Sequence, residues 1–161
     1  MKKLIYLAAI ACMALFVSCE KVSHTGDETG NLYGIWALTT KTTITQDSEG
    51  NTTSQEVDYT KNHFYLVFSE FPFPNAVGKK GSLSNLDLDD VDVDAVKFSY
   101  NADENKINFD GTIWLSDDVL TRNMLLTGTF NVSELTQNKF VIQQTVGNLT
   151  TVYSYVKQKN Q

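Results

Sequence analysis

Met124-Leu125-Leu126-Thr127-Gly128-Thr129-Phe130-Asn131-Val132-Ser133 decides the fold class. Met124, Leu126, Gly128, Phe130 and Val132 fall on one face of this stretch, and Thr127, Thr129, Asn131 and Ser133 on the other. A period of two belongs to a strand with one buried face, because successive side chains of extended backbone point to opposite sides. The scheme repeats downstream. Phe140, Ile142 and Val146 follow the turn Thr136-Gln137-Asn138, and Leu149, Thr151, Tyr153 and Tyr155 follow Gly147-Asn148. Three alternating runs joined by short polar turns predict an antiparallel meander.

Upstream the same period recurs. Val96, Phe98 and Tyr100 alternate with Lys97 and Ser99; residues 101–105 make a turn, and Ile107 and Phe109 resume with Asn108 and Asp110 outward. Gly111 can bend a strand that starts at Lys106 and continues through residues 112–115. Phe64, Leu66 and Phe68 alternate with His63, Tyr65 and Val67, so this strand is apolar on both faces and needs cover on both sides. Residues 32–44 and 52–59, joined across Asp47-Ser48-Glu49-Gly50-Asn51, read as a further hairpin. No stretch after residue 31 has the pattern of an amphipathic helix, and no internal repeat is visible. About eight antiparallel strands can close into an all-β up-and-down barrel, and a β-sandwich fits the same strand count.

Composition narrows the function classes. The 161 residues are 42% hydrophobic and 20% charged, an ordinary globular balance sized for one domain. Thirteen Lys and Arg against nineteen Asp and Glu give a net charge of −6, which argues against a nucleic-acid surface, since phosphate recognition needs clustered positive charge. Two cysteines and two histidines leave little material for a metal site, a thiol nucleophile or a disulfide framework.

Residues 1–18 read as a targeting segment. Lys2 and Lys3 form a positive start, and residues 4–17 make a continuous apolar run. As a helix that run spans about 21 Å at ~1.5 Å per residue, short of a hydrocarbon core of ~30 Å, so it suits an export signal and not a permanent span. Its removal takes two lysines and makes the remaining chain more acidic than −6. Residues 19–31 lack a repeating apolar pattern and read as a flexible tether, and residues 32–161 as the barrel domain.

Two resemblances follow from particular residues. Phe16-Val17-Ser18-Cys19, after the apolar run, resembles the lipobox of bacterial lipoproteins, with Phe16 where Leu is usual. The resemblance implies lipidation of Cys19 and a membrane partner reached through that lipid, in the outer membrane on its periplasmic or surface face. Several acyl chains hold durably, since each buried CH₂ contributes about 0.8 kcal/mol and one chain alone is marginal. Acidic residues just after such a cysteine resemble surface-export signals of Bacteroidetes lipoproteins, but Lys21 follows Glu20 at once, which leaves both faces open. Cys12 would be discarded with the signal, so no intramolecular disulfide is expected. Gly34-Ile35-Trp36 at the head of the first strand resembles the Gly-x-Trp signature of lipocalins, which implies a Trp packed across the closed base of a barrel. With the lipobox, and with Leu135-Thr136 and Tyr155-Val156-Lys157, the chain is similar to small lipocalin-like lipoproteins of Bacteroidetes.

The search for chemistry is mostly negative. His24 lies in the tether and His63 at a strand start, with no nucleophile motif around either, and no phosphate loop or zinc motif appears. No enzyme activity and no cofactor are expected. Asp90, Asp92 and Asp94 have the spacing that opens a calcium loop, but Ala95 and Asn101 stand where its glycine and bidentate glutamate belong, so a charged strand edge is the better reading. Phe71-Pro72-Phe73-Pro74 should end the preceding strand and carry two rings onto a rim or over the barrel mouth. The following residues, through Gly78-Lys79-Lys80-Gly81 to the acidic run, read as a long loop without a clear element. The sequons at Asn51, Asn131 and Asn148 have no role in a bacterial chain.

Two functions remain. The first is a non-catalytic envelope lipoprotein that binds a small apolar ligand, with Trp36, Phe64 or Tyr65, Leu66, Phe98, Phe130 and Phe140 lining the interior and Phe71 and Phe73 at its rim. The second is a protein-interaction or inhibitor module, with an envelope protein as partner and a core filled by its own rings. A carrier needs a cavity of roughly 300 Å³ or more.

Overall fold

Alternation becomes strand wherever a neighbour can complete the backbone hydrogen bonds. The computed structural model describes residues 31–70, 73–80, 95–114 and 125–159, and these form nine strands. They are β1 (Gly34–Gln46), β2 (Thr52–Asp58), β3 (Phe64–Ser69), β4 (Asn75–Lys80), β5 (Val96–Asn101), β6 (Lys106–Trp114), β7 (Leu125–Leu135), β8 (Lys139–Val146) and β9 (Leu149–Lys157). Every neighbouring pair is antiparallel, and β1 also pairs with β9 from Trp36↔Lys157 to Thr45↔Leu149. That last pairing closes the sheet on itself. The architecture is a closed up-and-down barrel of eight strands plus one extra strand, lipocalin-like as expected, and not a sandwich.

The extra strand arises from an interruption. β1 gives one edge to two partners, with Gly34–Ala37 paired to β3 and Thr40–Gln46 to β2. β2 and β3 therefore continue each other along β1, with residues 59–63 looped out between them. Thr39 holds the break: its carbonyl accepts the Tyr59 N–H at 2.7 Å and its hydroxyl donates to the Ser154 carbonyl at 2.9 Å. The β1–β2 tip follows Asx-turn chemistry, with Asp47 Oδ1 accepting the N–H groups of Glu49 and Asn51.

β4 corrects the reading of a long loop that follows Phe71-Pro72-Phe73-Pro74 and runs through Gly78-Lys79-Lys80-Gly81 to the acidic run. Its sequence, Asn-Ala-Val-Gly-Lys-Lys, carries little strand propensity, but it pairs residue for residue with the apolar β3, from Phe64↔Lys80 to Ser69↔Asn75. A strand buried on both faces requires its backbone groups to be satisfied, and that demand outweighs local preference. Gly78 is needed for another reason. A Cβ there would run into the carbonyl of Trp114 in β6, since β4 and β5 share only Asn75↔Lys97 and Ala76↔Val96. Gly111 bends β6 as expected, with φ at +151° and a register shift between Phe109 and Thr112.

The core is the inner face of the barrel. Trp36, Leu38, Phe64, Leu66, Phe68, Phe98, Phe109, Phe130, Phe140, Ile142, Tyr153 and Tyr155 all belong to one buried cluster. On the outer face Ile35, Tyr65 and Val67 form a second buried cluster, so β3 is covered on both sides, as its pattern predicts. The start of β1, the end of β9 and the β3–β4, β5–β6 and β7–β8 turns share one end, the base. The β1–β2 and β8–β9 tips share the other, which is also where β4 and β6 finish.

Candidate functional site

Trp36 plugs the base. It has no exposed surface, its Nε1–H donates to the Leu32 carbonyl at 2.6 Å, and its ring lies 5.4 Å from that of Phe140. Lys157, its register partner on β9, places Nζ 5.0 Å from the ring centroid and donates to the Asn31 carbonyl at 2.7 Å. Burial pushes the Lys157 amine below its ordinary pKa. The lysine thus closes the barrel over the indole, a cation–π seal whose partner was legible only as part of a terminal segment. Outside this seal, Tyr33, Gln137, Asn138, Lys157 and Gln158 border an open depression of about 410 Å³.

Beside Trp36 the lower interior is occupied by rings in mutual contact. Phe68 sits at the centre, with centroids of Phe98, Phe140 and Phe109 at 5.0, 5.8 and 6.2 Å. Phe109 meets Phe130 at 5.8 Å, and Phe130 meets Tyr153 at 6.3 Å. Edge-on and tilted geometries dominate, as the ring quadrupoles favour.

The upper interior is chemically different. A register shift between Leu38 and Thr40 reverses the parity of β1, so Lys41 pairs with the inward-facing Tyr153 and shares its face. Its Nζ lies 5.8 Å from the centroid of the Tyr153 ring. Burial pushes the Lys41 amine below its ordinary pKa. Tyr59 packs against the core here, 5.9 Å from Phe64. Burial, with the charge of Tyr59 adding to it, pushes Tyr153 up to about 12. Burial and then the charge of Tyr153 push Tyr155 well above its ordinary value. Tyr155 lies lower, its ring 5.7 Å from that of Phe140, and its hydroxyl is buried with no hydrogen-bond partner among the described residues.

These phenols make alkaline stability a measurable property. Unfolding returns Tyr153 and Tyr155 to a pKa of about 10, so the folded chain holds protons that the unfolded chain releases. Their contribution is full below about pH 10; that of Tyr153 is lost as the pH rises through its folded value of about 12, and that of Tyr155 through its own raised value. Tyr65, raised by burial, acts in the same direction. Lys41 and Lys157, lowered from 10.5, act in the opposite direction only below that pH. The urea midpoint is therefore expected to fall steadily from about pH 10.5 to about pH 12, and Tyr155→Phe to flatten part of the fall. A midpoint that holds level over this range would remove the assignment.

Trp36, Leu66, Phe98, Phe130 and Phe140 face the interior as expected. Tyr65 does not. Of the pair Phe64 or Tyr65, Phe64 points inward, while Tyr65 joins Ile35 and Val67 on the outer face, with its hydroxyl 3.4 Å from His63 Nδ1. Of the two placements expected for Phe73, a rim or the mouth, the structure gives a rim, the one at the Trp36 end, because the β3–β4 turn lies there. There Phe73 is partly exposed beneath Lys97, whose Nζ is 5.2 Å from its ring, and Pro74 accepts the Phe98 N–H at 3.3 Å. Cys19, Phe71, Asp90, Asp92 and Asp94 lie outside the described residues. Among the described residues no cluster of three His, Cys, Asp or Glu groups could hold a metal ion, and no helix is long and apolar enough to cross a membrane.

Lys41 and the unpartnered Tyr155 are the site features that the sequence reading left out. Alternation from Leu149 to Tyr155 places both tyrosines inward, but an unpartnered hydroxyl is a property of three-dimensional packing alone. No family model, curated protein or solved structure matches this chain.

Proposed function

We propose that this chain is an envelope lipoprotein, held to the outer membrane through lipid on Cys19, whose barrel binds a small and largely apolar molecule without catalysis. The observation that supports ligand binding is the Tyr155 hydroxyl, a buried polar group without a partner inside a closed apolar barrel. Such groups are rare in folded proteins because desolvation is costly, and an ordered water or ion is the usual remedy. The apolar signal segment and Phe16-Val17-Ser18-Cys19 support the anchor. A barrel of this kind hosts many roles, so the reading rests on the site and not on the architecture.

One observation favours the protein-interaction reading. The contacts of Phe68 with Phe98, Phe109 and Phe140 leave the lower interior occupied, which restricts any guest to the upper half. Native mass spectrometry of protein purified gently from its own host distinguishes the two. The expected result is an intact mass that includes acyl chains, together with a stoichiometric small apolar passenger released on denaturation. Protein that arrives empty and takes up no neutral hydrophobic probe would remove the carrier reading in favour of a surface that binds an envelope protein. An unmodified Cys19 would remove the anchor.

A further inference from the structure

We infer that the base of the barrel carries a second site, outside the Trp36 plug and independent of what the interior holds, which receives a phosphate ester between Lys157 and Lys159. The depression of about 410 Å³ there is of small-molecule size. It forms where the β7–β8 turn meets the end of β9: the Asn138 carbonyl accepts the Lys157 N–H at 2.9 Å, and the Ile35 carbonyl accepts the Gln158 N–H at 2.8 Å. Lys157 supplies the first cation. Its stem passes close over Gly34, where a Cβ would stand 3.1 Å from Cε, and its Nζ rests over the Trp36 ring with the Asn31 carbonyl as acceptor. Lys159, exposed and two residues on, supplies the second. Among the described residues no carboxylate pairs with either amine. Glu134, the carboxylate closest in sequence to the turn, is taken by Lys139 at 2.7 Å.

A partly buried charge is ordinarily paired, because a lone carbonyl does not offset its desolvation. Two such amines without a carboxylate, in a chain whose net charge is −6, make a local reversal of sign that draws an anion. The uncharged members narrow its kind. The side-chain amides of Gln137, Asn138 and Gln158 border the same depression and make no hydrogen bond among the described residues. Each amide offers two N–H donors and each ammonium three. So many donors around an open hollow match a group that only accepts and does so through several oxygens; a phosphate monoester has three free oxygens where a carboxylate has two. Lysine meets phosphate as a point charge and needs no forked geometry, and a charge-assisted hydrogen bond is about twice as strong as a neutral one. Tyr33, held edge-on to Phe98 at 6.3 Å, gives the organic part of the ester a fixed ring to lie against. Asn31, bonded to Lys157, places the depression at the end where the chain enters the barrel, within reach of a soluble ester and of a lipid head group alike.

The experiment titrates residues 20–161, which keep every described strand and both buried clusters, with glycerol 3-phosphate and follows ¹H–¹⁵N NMR signals. The backbone amides of Asn138, Lys157 and Lys159 and the indole N–H of Trp36 should shift together with a Kd of about 1 mM. The indole N–H of Trp114, half exposed at the far end of β6, should stay in place. Lys159→Gln and Asn138→Ala change exposed side chains, so each should weaken binding about threefold and leave the melting temperature as it is. Lys157→Met should abolish binding. Vesicles of phosphatidylcholine with and without phosphatidic acid identify the source. Co-sedimentation that requires phosphatidic acid and both lysines, without shifts from the soluble ester, assigns the phosphate to a lipid head group; shifts with the soluble ester assign it to a free ligand. Equal shifts with acetate at the same ionic strength, a response that survives the substitutions, or no response to ester or vesicle overturns the site and leaves the carrier reading as it stands.

Discussion

Trp36→Ala is expected to remove about 3–5 kcal/mol of folding stability, a large share of the 5–15 kcal/mol available to a domain of ordinary size. Three losses coincide at this position. The indole is fully buried in the base and packs against Phe140, so its removal leaves a cavity between β1, β8 and β9. The Leu32 carbonyl loses its 2.6 Å donor, and with it the tie that holds the entering chain across the base. Lys157 loses the face over which its amine rests, and an amine already penalised by burial is left with the Asn31 carbonyl as its named partner. Trp114, half exposed at the other end of β6, supplies the control: Trp114→Ala should change stability by no more than about 0.5 kcal/mol. Urea denaturation followed by far-UV circular dichroism checks both, and a Trp36→Ala midpoint equal to that of wild type would sink the assignment of Trp36 as the plug.

The same tryptophan shows how much the chain discloses before it folds. Gly34-Ile35-Trp36 marks the head of the first strand, and alternation from Leu126 to Val132 identifies the inner face of β7 correctly. What alternation alone does not disclose is where its parity changes. The shift between Leu38 and Thr40 carries Lys41 inside, and the shift between Val132 and Glu134 carries Leu135 inside instead of Glu134. Both depend on pairing with β9 or β8, partners supplied by distant segments of chain. β4 was invisible for the same reason, since its strand state comes from β3 and its glycine from the approach of Trp114. For Tyr65 and Phe73 the ambiguity is different. A strand apolar on both faces does not say which face is inner, and a proline-bounded turn does not say at which end of the barrel it lies. The upper interior, where Lys41 meets Tyr153, is therefore the least legible part of the molecule, because a bulge assembles it.

Phe68→Ala probes whether the barrel is filled below that site. Its ring, 2% exposed, is the one that touches Phe98, Phe109 and Phe140 together, so four strands lose a shared contact when it is cut back. The expected cost is about 3–5 kcal/mol, toward the upper end if the surrounding rings, each fixed by its own strand, fail to collapse into the space. A cavity walled by aromatic carbon stays dry, and a dry apolar cavity takes up a ligand of benzene's size. Benzene should therefore raise the melting temperature of Phe68→Ala, because a ligand that binds only the folded state stabilises it in proportion to the logarithm of its concentration. Wild-type protein should gain nothing from benzene at the same concentration, since the place is already taken. An unchanged melting temperature in the variant would show that Phe68 is not central to the packing. Equal stabilisation of wild type would mean that a guest of benzene's size has room there already, and the cavity available to a carried molecule would then extend down from Lys41 and Tyr153 toward Trp36 itself.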